Sequence, residues 1–285
     1  MQPTDVRVEV AEGVRLRVRA WEPPADGAAA PYVLVHGLSS NARLWDEVAV
    51  PLTAAGHPVY AVDLRSHGES DAPDDGYDTA TAARDLAEVC RVLRLPNAIW
   101  AGQSWGGNVV ARLSAEHPSL VTALALVDGG WIDLSTEFDT WESCAAALRP
   151  PDVDGMRADD LRDRLRRGHP DWSSAAIEAT VANLRESASG DLTRRLPVES
   201  HMRIVRSMWD DPPWRDFPLI EAPALLLPAV PKGDAAAARR AIVAKAAGAL
   251  PRATVKEYVG ADHDLHAQHP AELAADLLSL AEGSP

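Results

Sequence analysis

A serine set between glycines, in Gly102-Gln103-Ser104-Trp105-Gly106-Gly107, is the segment of this chain best suited to covalent chemistry. It follows the apolar run Ala98 to Ala101 and precedes a helical pattern from Asn108 to His117. The serine therefore falls on a strand-to-helix turn, the setting of a nucleophile elbow. Glycines two positions to either side let the turn tighten, so that the Ser104 hydroxyl stands out at the C-terminal edge of a sheet. A serine hydroxyl is a poor nucleophile at neutral pH. It needs a histidine to take its proton and a carboxylate to orient and stabilise that imidazole.

Nine histidines are available. His263 follows a strand pattern over Thr254 to Val259 and the turn Gly260-Ala261-Asp262, with His266 and His269 close by as competitors. The cluster Asp262, His263, Asp264, His266 and His269 has metal-ligating residue types, but its turn setting and the waiting serine favour proton transfer, so no metal is expected. Two carboxylates compete for the third role. Asp128 ends the apolar run Leu124 to Val127 and is followed by Gly129-Gly130, which lets the chain turn away from the ring. Asp234 lies beyond Leu225 to Leu227, after a loop containing Pro228 and Pro231, at the start of an Ala-rich helix where N-capping alone would explain it. Asp128 is the preferred acid and Asp234 the alternative.

The elements that must hold these residues read as an alternation of strands and helices. Val6, Val8 and Val10, then Val14, Leu16 and Val18, alternate with polar residues about the turn Glu12-Gly13, which predicts an opening hairpin. After a loop from Pro23 to Pro31, the runs Tyr32 to Val35, Val59 to Val62, Ile99 to Ala101, Leu124 to Val127 and Leu225 to Leu227 are continuously apolar, the mark of parallel strands covered on both faces. Helices are expected over Thr79 to Leu95, Asp234 to Leu250 and Pro270 to Ala281. From Trp131 to about Phe217 no buried-strand run occurs, only helical fragments. That region holds Trp131, Trp141, Trp172, Trp209 and Trp214, which either pack a helical core or line a pocket.

In these motifs the chain resembles the α/β-hydrolase superfamily almost from end to end. The resemblance is carried by His36-Gly37-Leu38, by Asp63-Leu-Arg-Ser-His-Gly-Glu-Ser70, by the elbow and by Gly260-Ala-Asp-His263. It implies an α/β fold with a mostly parallel sheet, a core of residues 1–130 and 218–285, and a helical cap at 131–217 inserted after the sixth core strand. It also implies that His263 is the base and that the backbone N–H groups of Leu38 and Trp105 form an oxyanion hole. Most members place the acid after the strand that precedes Asp234; an acid at the strand end of Asp128 is a minority arrangement. His36 and His67 are expected to brace loops. The activity expected is that of a cofactor-independent serine hydrolase cleaving a small ester, lactone or thioester through an acyl-enzyme. An acyl-transfer, amide-cleaving or C–C-cleaving relative keeps the same triad, and a ligand-binding protein of this fold with little turnover is the alternative outside catalysis.

Composition excludes other classes. With 28 Lys+Arg against 42 Asp+Glu the net charge is −14, which repels phosphate backbones and anionic headgroups, so nucleic acid and membrane are not expected partners. A hydrophobic fraction of 46% is that of a folding chain. Cys90 and Cys144 have neither disulfide-framework nor zinc-site spacing, and residues 1–10 lack a basic-then-apolar leader pattern, so a small-molecule substrate in the cytoplasm is expected.

Overall fold

The computed structural model describes residues 2–23 and 29–283; residues 24–28 of the expected loop lie outside them. The alternating valines at the start form β1 (Thr4–Ala11) and β2 (Val14–Trp21), antiparallel with Val8 opposite Leu16, and Gly13 supplies the positive φ of their turn. The continuous apolar runs become β3 (Tyr32–Val35), β4 (Val59–Val62), β5 (Ala98–Gln103), β6 (Val121–Val127) and β7 (Ala224–Leu227). A short β8 (Ala253–Val255) closes an eight-stranded sheet of order β1-β2-β4-β3-β5-β6-β7-β8. Every pairing from β4 to β8 is parallel.

Alternate residues of each strand serve opposite faces, which is why the runs are apolar throughout. Val33 and Val35 join a core beneath α2 (Thr79–Leu93) and α3 (Trp105–Glu116), while Tyr32 and Leu34 join one beneath α1 (Asp46–Ala54). The segment between β6 and β7 contributes α4 (Trp141–Leu148), α5 (Ala158–Gly168), α6 (Ser174–Val181) and α7 (Val198–Asp210). Ile204, Val205 and Met208 of α7 are buried in the same cluster as Leu86 of α2 and Val109 of α3, so this segment packs onto the sheet's first layer. The chain ends with α8 (Ala235–Ala249) on the first face and α9 (Pro270–Ala281) on the second.

Several expected boundaries shift. The α2 helix stops at Leu93, two residues short of the expected Leu95, because Arg94 takes a left-handed conformation and ends the helical hydrogen bonding. The helix after the elbow starts at Trp105, three residues before the expected Asn108. The expected strand Thr254 to Val259 is two pieces, β8 and a short Tyr258–Val259 that pairs with Ala229–Val230. Between Trp131 and Phe217, where only helical fragments are expected, Leu184–Glu186 pairs with Leu192–Arg194. That hairpin is largely exposed and short, so it leaves no apolar run to read.

The topology also opens a crevice at one edge of the sheet. From β3 the chain moves to β4 on one side, then to β5 on the other, so the crevice beyond the C-terminal ends of β3 and β5 is a topological switch point. His36-Gly37-Leu38 leaves β3 there, and Ser104 leaves β5 beside it.

Candidate active site

Ser104 sits at φ 54°, ψ −126°, a region open to a non-glycine residue only under constraint from its neighbours. Its N–H donates to Val127 O at 3.0 Å, and its carbonyl accepts from the Gly107 N–H at 2.9 Å. The glycines are a packing requirement: a Cβ on Gly102 would strike the Gly106 backbone, and one on Gly106 would strike the His36 backbone. The elbow is thereby pressed against the loop after β3.

Asp128 stands one residue beyond β6 with φ 42°, and its side chain is 2% exposed. The Nδ1 of His263 lies 2.5 Å from Asp128 Oδ2. A carboxylate only accepts, so Nδ1 carries the proton and Nε2 keeps a lone pair free. The other oxygen, Oδ1, accepts from the Ala229 N–H at 2.9 Å and from the Arg239 guanidinium. Packing around the His263 ring favours its neutral form. The hydrogen bond and charge of Asp128, with Asp264, outweigh that and raise the ring's pKa above the ordinary histidine value, while Arg239 opposes them.

Ser104, Asp128, His263 and Leu38 line one cavity of ≈ 390 Å³, walled by Ile132, Leu134, Leu148, Val205 and Met208. An apolar wall with a few convergent polar groups is the usual make-up of a small-molecule site. Among the described residues Ser104 Oγ makes no hydrogen bond to His263. The Leu38 N–H has no partner among the described residues, and Trp105, as the first residue of α3, carries one of the helix's orphan N–H donors.

The other candidates do not reach the cavity. His266 is fully buried against Trp45 at 4.8 Å between ring centroids. His36 donates from Nδ1 to Gly37 O at 2.7 Å and accepts at Nε2 from the Leu64 N–H at 3.1 Å, bracing the loop after β3. His67 braces it from the other side, accepting from the Ser39 N–H at 3.2 Å. Asp234 is exposed and, contrary to the N-cap expectation, makes no side-chain cap bond, because its own backbone is already helical. The indole of Trp105 is buried and donates to Thr79 Oγ1 at 3.1 Å, away from the cavity. None of the five tryptophans between Trp131 and Trp214 lines it.

Four neighbours escape sequence reading. Arg239 holds Asp128; Gln103, buried before the elbow, donates to His263 O at 3.2 Å; His201 bridges Ser39 Oγ and Leu148 O, each at 2.9 Å. Gln103 adjoins Ser104 and could have been singled out, whereas the contacts of Arg239 and of the Ser39/His201 pair depend on tertiary placement alone.

A family model described as the alpha/beta hydrolase fold matches residues 31–270. The chain belongs to the α/β-hydrolase family. This α/β hydrolase is similar to a protein named non-heme chloroperoxidase from Streptomyces lividans, 27% identical over 96% of this chain and 98% of that one. An esterase of Mycobacterium tuberculosis is 42% identical over 36% of this chain and 34% of its own length. Among solved structures, E-2-(acetamidomethylene)succinate hydrolase superposes with a TM-score of 0.77 at 21% identity, covering 99% of both chains, a likeness of fold.

Proposed function

We propose that this α/β hydrolase cleaves a small ester, lactone or thioester through a Ser104–His263–Asp128 triad. The observation that carries the reading is the 2.5 Å contact of His263 Nδ1 with buried Asp128, in the cavity that Ser104 also lines. In this reading Ser104 Oγ, which lines the same cavity, comes within hydrogen-bond reach of the free Nε2 of His263 once substrate is bound. Nε2 takes the hydroxyl proton as Oγ attacks the carbonyl carbon. Negative charge then develops on the carbonyl oxygen, where the Leu38 and Trp105 N–H groups donate. The imidazolium, paired with Asp128, returns its proton to the leaving oxygen or sulfur. Water repeats the sequence in reverse and releases the acid. The esterase relative is consistent with this reading.

In the same reading the core comprises residues 1–130 and 218–285, and 131–217 form a cap whose Ile132, Leu134, Leu148, Val205 and Met208 wall the acyl pocket. The test is hydrolysis of aryl esters of graded acyl length by the parent protein and by Ser104→Ala. Short and medium acyl chains are turned over by the parent and not by the variant. Full activity in Ser104→Ala overturns the assignment.

A further inference from the structure

We propose that Arg239 is a positioning residue of this site: it clamps the orienting carboxylate Asp128 and sets the pH at which His263 becomes a working base. The proposal rests on the triad reading above. The guanidinium forms an ion pair with Asp128 Oδ1, on the side of the carboxylate opposite His263, and its Nε donates to Ala229 O at 3.3 Å. Ala229 in turn donates its N–H to the same Oδ1 at 2.9 Å, so arginine, backbone and carboxylate close a ring. The loop after β7 is where the family resemblance would seat an acid. Here that loop and the helix beyond it supply the two anchors of an acid that comes from β6. The arginine is well held, with its side chain 28% exposed and its guanidinium 5.9 Å over the Trp131 ring.

The charge has a direction. A cation beside Asp128 offsets part of the carboxylate field felt by the imidazole, so it disfavours the imidazolium in the free protein. The other groups that bear on His263 are Asp128 itself and Asp264 on its own loop, with the buried His266 nearby, while Glu137 and His201, the latter held below the ordinary histidine value chiefly by burial, line the same cavity. Asp262 is turned to His169 at 3.4 Å. Among the described residues Arg239 is the one permanent cation that lines the cavity alongside His263, which is why its removal has a predictable sign.

The experiment is an NMR titration of histidine-labelled, full-length protein, with the His263 resonance assigned by its loss in His263→Gln, alongside the acid limb of kcat/KM. In Arg239→Met both midpoints rise, by roughly half to one pH unit. In Arg239→Lys, which keeps the charge and loses the fork, the midpoint stays near that of the parent while kcat falls several-fold. An unmoved midpoint in a folded Arg239→Met overturns the proposal, as does a midpoint in Arg239→Lys that moves as far as in the Met variant. Asp128→Asn separates this from the triad reading. Activity and His263 midpoint both untouched in Asp128→Asn remove the triad, whereas an inactive Asp128→Asn beside an unmoved Arg239→Met removes the arginine's role alone.

Discussion

Two aspartates of equal chemistry end up in unequal surroundings. Asp128 is fixed one residue beyond a central strand, buried, and holds the Nδ1 proton of His263. Asp234 is exposed, with no side-chain capping bond. Asp128→Asn is therefore expected to lower kcat by roughly 10³–10⁴-fold, the cost of losing an orienting carboxylate. Asp234→Asn is expected to leave kcat unchanged and, with no cap to lose, to leave thermal stability unchanged as well. Steady-state kinetics and a melting curve on the two variants check both. The reverse pattern, with Asp234→Asn inactive, would return the acid to the commoner position. Residue types and turn context were enough to single out Ser104, His263 and Asp128, which the structure brings to one cavity. Arg239 was not, since which face of an Ala-rich helix meets the site depends on how that helix is rotated on the sheet.

The elements carry their own device. The loop after β3, which carries the proposed oxyanion donor Leu38, is tied to α7, because Ser39 Oγ lies 2.9 Å from His201 Nδ1 and His201 Nε2 donates to Leu148 O. A carbonyl only accepts, so neutral His201 receives the Ser39 hydroxyl proton at Nδ1. Burial pushes the pKa of His201 below the ordinary value, which keeps that arrangement through neutral pH. His201→Ala frees the proposed oxyanion loop and is expected to reduce kcat about 10-fold with a small change in KM, since the lost order bears on the transition state. An unchanged kcat would mean that the loop is held by His36 and His67 alone. At this scale the parallel strands were readable as apolar runs and the elbow as glycine spacing. The Leu184–Glu186 hairpin was not, since a short exposed pair stabilised by its surroundings has neither period nor apolar length.

For the molecule as a whole, buried histidines make acid a threat to the fold. His36 and His266 are pushed down to about 4, and His67 to about 3, in each case chiefly by burial. All three are neutral in the folded protein and charge once unfolded below about 6.5. Folded values below the unfolded one mean stability that is full above about pH 6.5 and is lost as the pH falls toward 4. Each ring removes about 1.4 kcal/mol per pH unit across that window. Scanning calorimetry is expected to show the melting temperature falling steeply from pH 6.5 to 5 and nearly flat from 7 to 8. A melting temperature constant down to pH 5 would require these rings to take up protons within the fold.

Activation of Ser104 as a nucleophile by His263 and Asp128, as proposed, can be read without knowing the substrate. A fluorophosphonate reacts with an activated serine hydroxyl, so the measurement is its rate of adduct formation, mapped to a residue by peptide mass spectrometry. One adduct is expected, on Ser104, formed rapidly in the parent protein and slowed by roughly 10³-fold or more in His263→Ala and in Asp128→Asn. No adduct on Ser104 in the folded parent, or labelling as fast in His263→Ala as in the parent, would contradict it.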